Sequence, residues 1–209
     1  MPKVVDHERY RKHLMRQCFD LFAERGYRAL TMRQIAEALN VSTGTLYHYF
    51  PTKEALFGQL AEEITQQTIT DAMSQAPEHT SFDERLLYLF RFLAEHERDL
   101  QKQFLISVDF YQHRDLYGSN AQAILRAGAD RYDQAIQQYI GFADAKLCVL
   151  LRSQISGLLT LRMLRGTTIS LVEQARAFID MFAQAVRNTS GTTEEYAGSP
   201  RDVDQHEER

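Results

Sequence analysis

Cysteine is scarce in this chain: Cys18 and Cys148 are the only two in 209 residues. Cys18 lies among Leu14, Leu21 and Phe22, and Cys148 lies inside the apolar run LCVLL. Both read as small core residues, not as a disulfide or redox pair. The seven histidines are dispersed, with no His/Cys/Asp cluster at a recognised ligand spacing, so no metal and no cofactor is expected. A Gly-rich phosphate loop, a nucleophile elbow and an H-E-x-x-H sequence are all missing, which argues against an enzyme. No run of about 18 apolar residues exists, so no transmembrane helix and no membrane contact are expected. The opening MPKVVDHERYRKH lacks the apolar core of a secretory signal, which makes cytoplasmic residence the expectation. Strand-like alternation of useful length and internal repeats are absent as well, leaving an all-α fold. With 44% apolar and 25% charged residues, the composition is that of an ordinary globular protein with a substantial core.

What is present concentrates in residues 31–56, TMRQIAEALNVSTGTLYHYFPTKEAL. Thr31 and Gln34 form a capping-box pattern that starts a helix. Ile35, Ala36 and Leu39 give it one apolar face. Asn40 tolerates the left-handed conformation needed to leave it. Ser42 can cap a second helix, which Pro51 stops after about two turns. A helix so short is unstable alone, and Leu46 and Phe50, spaced i,i+4, can anchor it to a core. Gly44 would let it approach a neighbour or a sugar–phosphate strand closely. Ser42, Thr43, Thr45, Tyr47 and His48 are left outside, all able to bond phosphate or base edges. Thr31 and Arg33 flank them, and Lys53 adds a positive charge at the start of the next helix. Two short helices joined by a tight turn are what a protein needs to place one helix in the major groove of DNA. An ordinary helical hairpin with a polar face would share this spacing.

Net positive charge is also lacking: the chain carries a formal −4. The sign is not uniform, however. Residues 1–53 hold nine Lys/Arg against five Asp/Glu, and the remainder holds 15 against 23. The basic end coincides with the two short helices, as an electrostatic footprint on phosphate requires, and the acidic remainder should face away from DNA.

Residues 9–56 resemble the N-terminal DNA-binding domain of the TetR/AcrR family of bacterial transcription regulators. The matching positions are Phe22, Gly26, Tyr27, Thr31, Ile35, Ala36, Val41, Ser42, Gly44, Leu46, Tyr47, Tyr49, Phe50, Lys53, Glu54 and Leu56. Asn40 stands where the family often has Gly. The resemblance implies a helix–turn–helix domain at 1–54, a linker helix at about 52–75, and a helical ligand-binding and dimerisation domain at 76–188.

The spacing predicts a first helix from about Asp6 to Arg25, closed by Gly26. Another runs from Thr52 to about Met73 and is broken at Ala76-Pro77. Capping boxes at 81–84 and 170–173 open further helices. Between them, helices are predicted at Arg98 to Gln112, Tyr117 to Ile140 and Asp144 to Arg165. From Thr189 onward the chain is polar and rich in turn formers, and it reads as a disordered tail.

The helix at 144–165 is apolar around much of its circumference and so needs more than one partner. With the helix at 171–187 it suggests a four-helix interface between two copies, through Leu151, Leu158, Phe178 and Phe182. The resemblance implies the same for the last two helices. It also implies an inducer pocket, for which Tyr88, Phe92, Phe104, Asp109, Tyr111 and Arg152 are the candidate lining residues. The expectation is a homodimeric transcription regulator of the repressor type. It would bind a near-palindromic operator in double-stranded DNA and be released by a small hydrophobic or aromatic effector. A DNA-binding protein without an effector is the alternative, and a helical enzyme or interaction module the rival from another class.

Overall fold

The first five helices of the computed structural model begin where capping side chains place them. The structure describes residues 6–78, 80–113, 120–141, 145–166 and 170–195. Among these, nine α-helices account for the regular structure, and no strand occurs. Helix α1 (His7–Arg25) is capped by Asp6, whose carboxylate accepts from the Arg9 N–H. It closes at Gly26 with φ 79°. Helix α2 (Met32–Ala38) opens with the capping box of Thr31 and Gln34. Asn40 takes φ 55° in the turn, as its side chain type allows. Helix α3 (Thr43–Tyr49) is capped by Ser42 and ends at an extended Phe50 with φ −136°, the conformation that the following Pro51 demands. Thr52 caps α4 (Lys53–Ser74), and the Ser81–Glu84 box opens α5 (Phe82–Glu95). Helices α6 (Glu97–Gln112), α7 (Asn120–Ile140), α8 (Ala145–Arg165) and α9 (Leu171–Glu195) follow.

The last helix departs from expectation. It continues to Glu195, past Thr189, where a disordered tail was predicted. Extending an existing helix adds one hydrogen bond per residue fixed and escapes the cost of nucleation, so weak formers such as Ser190 and Thr192 can follow. The rest of the predicted tail, 196–209, lies outside the described residues, as do Tyr117 and Asp144.

Two cores organise the chain. In the first, Tyr27 is fully buried where α1, α2, α3 and the start of α4 meet. Phe57 of α4 and Phe110 of α6 stack face to face at 3.8 Å. Tyr27 meets both edge-on, at 5.2 Å and 5.0 Å, the arrangement that ring quadrupoles favour. Ile106 and Phe110 thus belong to the core of the head, although some 50 residues of chain separate them from it in sequence. The second core gathers Phe90 of α5, Leu151, Ile155 and Leu158 of α8, and Leu171, Phe178 and Ile179 of α9. Cys18 and Cys148 are buried in the first and second cores, as expected. Burial pushes the Cys18 thiol up to about 12, so it stays unreactive.

Helix α8 is long and apolar enough to cross a membrane by length and composition. One side of it packs inside the chain and much of the rest is exposed. Cys148, Leu151, Ile155 and Leu158 pack inside the chain, and Arg152 and Arg162 pair with Asp133 at 3.1 Å and Glu97 at 2.6 Å. Leu151, Leu158 and Phe178, expected at an interface, are buried within their own chain at 0%, 8% and 4% exposure and offer little surface to a partner. The apolar stripe facing out is a different one: Val149, Leu150, Leu161 and Leu164, with Met181 on α9. The side chain of Phe182 lies outside those described, as does that of Val186.

The shared ring cluster sets a stability prediction. Phe110→Ala should lower unfolding free energy by about 3–5 kcal/mol, since it empties a fully buried aromatic site. Because that site is in the head's core, chemical denaturation followed by fluorescence of the head's tyrosines should register the loss. An unchanged midpoint would show that the stack contributes nothing.

Candidate nucleic-acid interface and cavity

Helix α3 presents one continuous polar face. Leu46 and Phe50 are fully buried beneath it and hold it to the core. Ser42, Thr43, Gly44, Tyr47 and His48 are exposed, and Thr45 is half-buried. The Ser42 hydroxyl accepts from the Thr45 N–H at 2.9 Å and lies 2.7 Å from the Thr45 hydroxyl, so cap and first turn are tied together. A Cβ at Gly44 would meet only Ser42 Oγ, at 3.7 Å, which leaves this turn open to a backbone from outside. Thr31 and Arg33 are exposed on α2. The first turn of α1 completes the surface: His7 Nδ1 lies 2.8 Å from the Tyr49 hydroxyl, and its ring is 6.3 Å from that of His48. Sequence reading missed His7, because nothing local places it some 40 residues away beside α3.

Lys53 takes a different role from the one expected. Its ammonium is half-buried and donates to the carbonyls of Tyr27 at 3.1 Å and Leu30 at 2.8 Å. It also sits 4.3 Å from the centre of the Tyr27 ring. Burial pushes its pKa down, against the opposing pull of Glu54 and Asp109. Lys53 therefore pins the loop between α1 and α2 to α4, an anchoring role in place of the free phosphate contact foreseen.

Asp109 is likewise corrected. It does not line the cavity. From the last turns of α6 its Oδ2 accepts from the backbone N–H of Tyr27 at 2.6 Å and, more weakly, of Arg28 at 3.4 Å. Gly26 suits this position because its φ of 79° disfavours a side chain. His113, one turn on, lies 2.8 Å from the Asp109 carbonyl and 3.3 Å from an Arg28 guanidinium nitrogen. A carboxylate on two amides is a charge-assisted latch between α6 and the head.

Behind the latch is a cavity of about 610 Å³ enclosed by α4, α5, α6, α7 and α8. Of the candidate lining residues, Phe92, Phe104, Tyr111 and Arg152 reach it and Tyr88 does not. The Tyr88 hydroxyl instead donates to the Ala72 carbonyl, capping the end of α4. Leu60, Ile64, Ile124, Leu125 and Ile136 supply most of the remaining wall. Polar residues outside that candidate set also face it, among them Thr65, Thr68, Gln103, Ser107, Tyr132 and Tyr139. Thr65 and Thr68 sit in the second half of α4, where the sequence ITQQTITDAMS is more polar than the first. Only the packing of α4 on α7 turns them inward.

The latch generates a prediction. Asp109→Ala should destabilise the protein by about 1–2 kcal/mol, the range for losing a charged acceptor that is partly exposed. Hydrogen exchange at the Tyr27 and Arg28 amides should speed up selectively. Unchanged protection at both amides would mean that the carboxylate does not hold them.

Comparison with known proteins gives a consistent picture. Residues 14–60 match the family described as bacterial regulatory proteins, tetR family. The HTH-type transcriptional regulator PksA of Bacillus subtilis is 37% identical over 71 residues, 34% of this chain and 34% of that protein. The HTH-type transcriptional repressor Rv1474c of Mycobacterium tuberculosis is 40% identical over 72 residues, 32% of this chain and 37% of that protein. The chain thus spans only about a third of the length of these curated relatives. Over the whole fold, a putative transcriptional regulator from Pseudomonas aeruginosa superposes with a TM-score of 0.71 at 18% identity. That superposition covers 88% of this chain and 96% of the other.

Proposed function

We propose that this chain, whose residues 14–60 match the tetR family of bacterial regulatory proteins, is a homodimeric transcription regulator of the repressor type, released from its operator by a small effector. The observation that carries this reading is the double attachment of α6. Gln103, Phe104, Ser107 and Tyr111 of this helix line the cavity, while Ile106, Asp109 and Phe110 are held by the head. A molecule that changes the position of one side of α6 must move the other, which supports coupling between cavity and recognition helix. The cytoplasm, where the chromosome is, is the corresponding location.

In this reading α3 enters the major groove and its exposed row from Ser42 to His48 meets base edges and phosphates. Arg33 and the start of α1 supply contacts to the backbone. One two-turn helix reads few base pairs, so two heads are needed, about 34–36 Å apart on successive major grooves of a near-palindrome. The stripe of Val149, Leu150, Leu161 and Leu164 supports the pairing of two copies through α8 and α9. Gly157 lies between Leu150 and Leu161 on the same helix, and a Cβ there would meet nothing within 4 Å, leaving room for a second backbone.

DNA duplexes selected from a random pool by the wild-type protein provide the test. Arg33→Ala should weaken binding evenly across sequences and reduce the log–log salt slope by roughly 0.9, one phosphate contact. Tyr47→Ala should cost about 1–3 kcal/mol and relax preference at one or two positions. If both variants bind like wild type in anisotropy titrations, α3 is not the recognition helix.

Assembly has its own test. Leu161→Glu places a charge in the proposed dry contact, and light scattering should show the dimer converted to monomer with loss of operator affinity. The fold should survive, since Leu161 is half exposed in the single chain. A wild-type protein that is monomeric at micromolar concentration would contradict the proposal.

A further inference from the structure

The cavity's charge balance narrows the kind of molecule it can hold. Among the described residues its wall carries one ionised group, Arg152, and that group already has partners. The guanidinium pairs with Asp133 at 3.1 Å and donates to the Ala129 carbonyl at 3.1 Å. An acid entering the cavity would find no unpaired cation, and an amine no carboxylate among the lining residues. Either ion, held in the apolar part of the cavity, would lose hydration with little there to replace it. The remaining wall is dominated by aliphatic and aromatic side chains.

The wall's other polar groups are the serines of α6 and α8, Tyr111 and the Tyr139 hydroxyl, which is buried with no hydrogen-bond partner among the described residues, and one cluster of polar side chains joins three helices. The Tyr132 hydroxyl donates to Gln103 Oε1 at 3.0 Å, linking α7 to α6. Thr65 and Thr68 of α4 lie near the same phenol in the wall, and Thr65 is 2% exposed, a buried hydroxyl in an otherwise apolar core. Burial pushes the Tyr132 pKa up despite these partners, so the group is present as a neutral phenol. With its oxygen accepting from Tyr132, the Gln103 side chain directs its amide N–H pair elsewhere, and among the described residues no acceptor engages it.

We propose that the effector of this cavity is an uncharged lipophile bearing a hydrogen-bond acceptor, such as a carbonyl, ether or hydroxyl oxygen, within its apolar body, received by the Thr65–Thr68–Gln103–Tyr132 patch. This rests on the reading of the cavity as the effector site and adds the chemical class. Three helices contribute to the patch, so an oxygen held there touches α4, α6 and α7 together. A volume of about 610 Å³ accommodates a body of a dozen or more carbons.

Matched thirteen-carbon probes test it: 7-tridecanone, tridecanoate and tridecylammonium, each titrated calorimetrically into the full chain at neutral pH. The ketone should bind, and both ions should bind at least tenfold more weakly. Gln103→Leu should weaken the ketone about five- to tenfold, the loss of one hydrogen bond in a dry site. Ser107→Phe, which fills the cavity from α6, should abolish ketone binding, with circular dichroism reporting an intact fold. Two results would overturn the proposal and leave the cavity as the effector site. One is tighter binding of either ion, blocked by Ser107→Phe. The other is ketone binding indifferent to both Gln103→Leu and Thr65→Val. If no probe binds, or if Ser107→Phe leaves binding untouched, the proposal falls and the cavity reading falls with it.

Discussion

The C-terminal half of α6 is bound on two sides, and most of the molecule's behaviour depends on that constraint. On one side Phe110 stacks on Phe57 and Asp109 holds the amides of Tyr27 and Arg28. On the other, Ser107 and Tyr111 face the cavity. A helix is stiff over this length, so its two faces cannot move independently. Lys53 extends the same attachment into α4, pinning the carbonyls of Tyr27 and Leu30 just before α2 begins. The helix–turn–helix is therefore tied to a helix whose other side lines the cavity.

Energetics make this arrangement sensitive. A coupling free energy of about 1–3 kcal/mol is typical between linked sites and changes affinity by 5–150-fold. That is the size of one or two charge-assisted hydrogen bonds, so the Asp109 contacts alone are of the right order. No large rearrangement is needed. A packed ring cluster such as Tyr27, Phe57 and Phe110 does not deform gradually, and a ligand that prefers one arrangement of α6 shifts the balance between arrangements.

Local structure was legible in the sequence, because local chemistry decides it. The caps at Thr31, Ser42, Thr52 and Ser81 all form as their side chains predict, and Asn40 turns left-handed as expected. Burial direction was not legible for residues whose partners lie far along the chain. Asp109 and Lys53 looked available for ligand and phosphate, yet each is committed to backbone groups of the α1–α2 loop. Leu151, Leu158 and Phe178 looked like interface residues because α8 and α9 are apolar on several sides, and periodicity cannot say which side faces the chain's own core. Thr65 and Tyr132 were overlooked for the converse reason. A hydroxyl in a polar-looking stretch becomes notable only when packing encloses it.

The central claim is that cavity and recognition helix oppose each other through α6, and linkage provides its most direct measurement. The affinity of 7-tridecanone should be determined for the free protein and for protein saturated with its selected operator. Operator affinity should then be determined with and without saturating ketone. The account predicts that both affinities fall, by the same factor within the range of 5–150-fold, because binding couplings are reciprocal. Ketone affinity that is identical for free and operator-bound protein would contradict it, since two sites joined through one rigid helix cannot then be exchanging free energy.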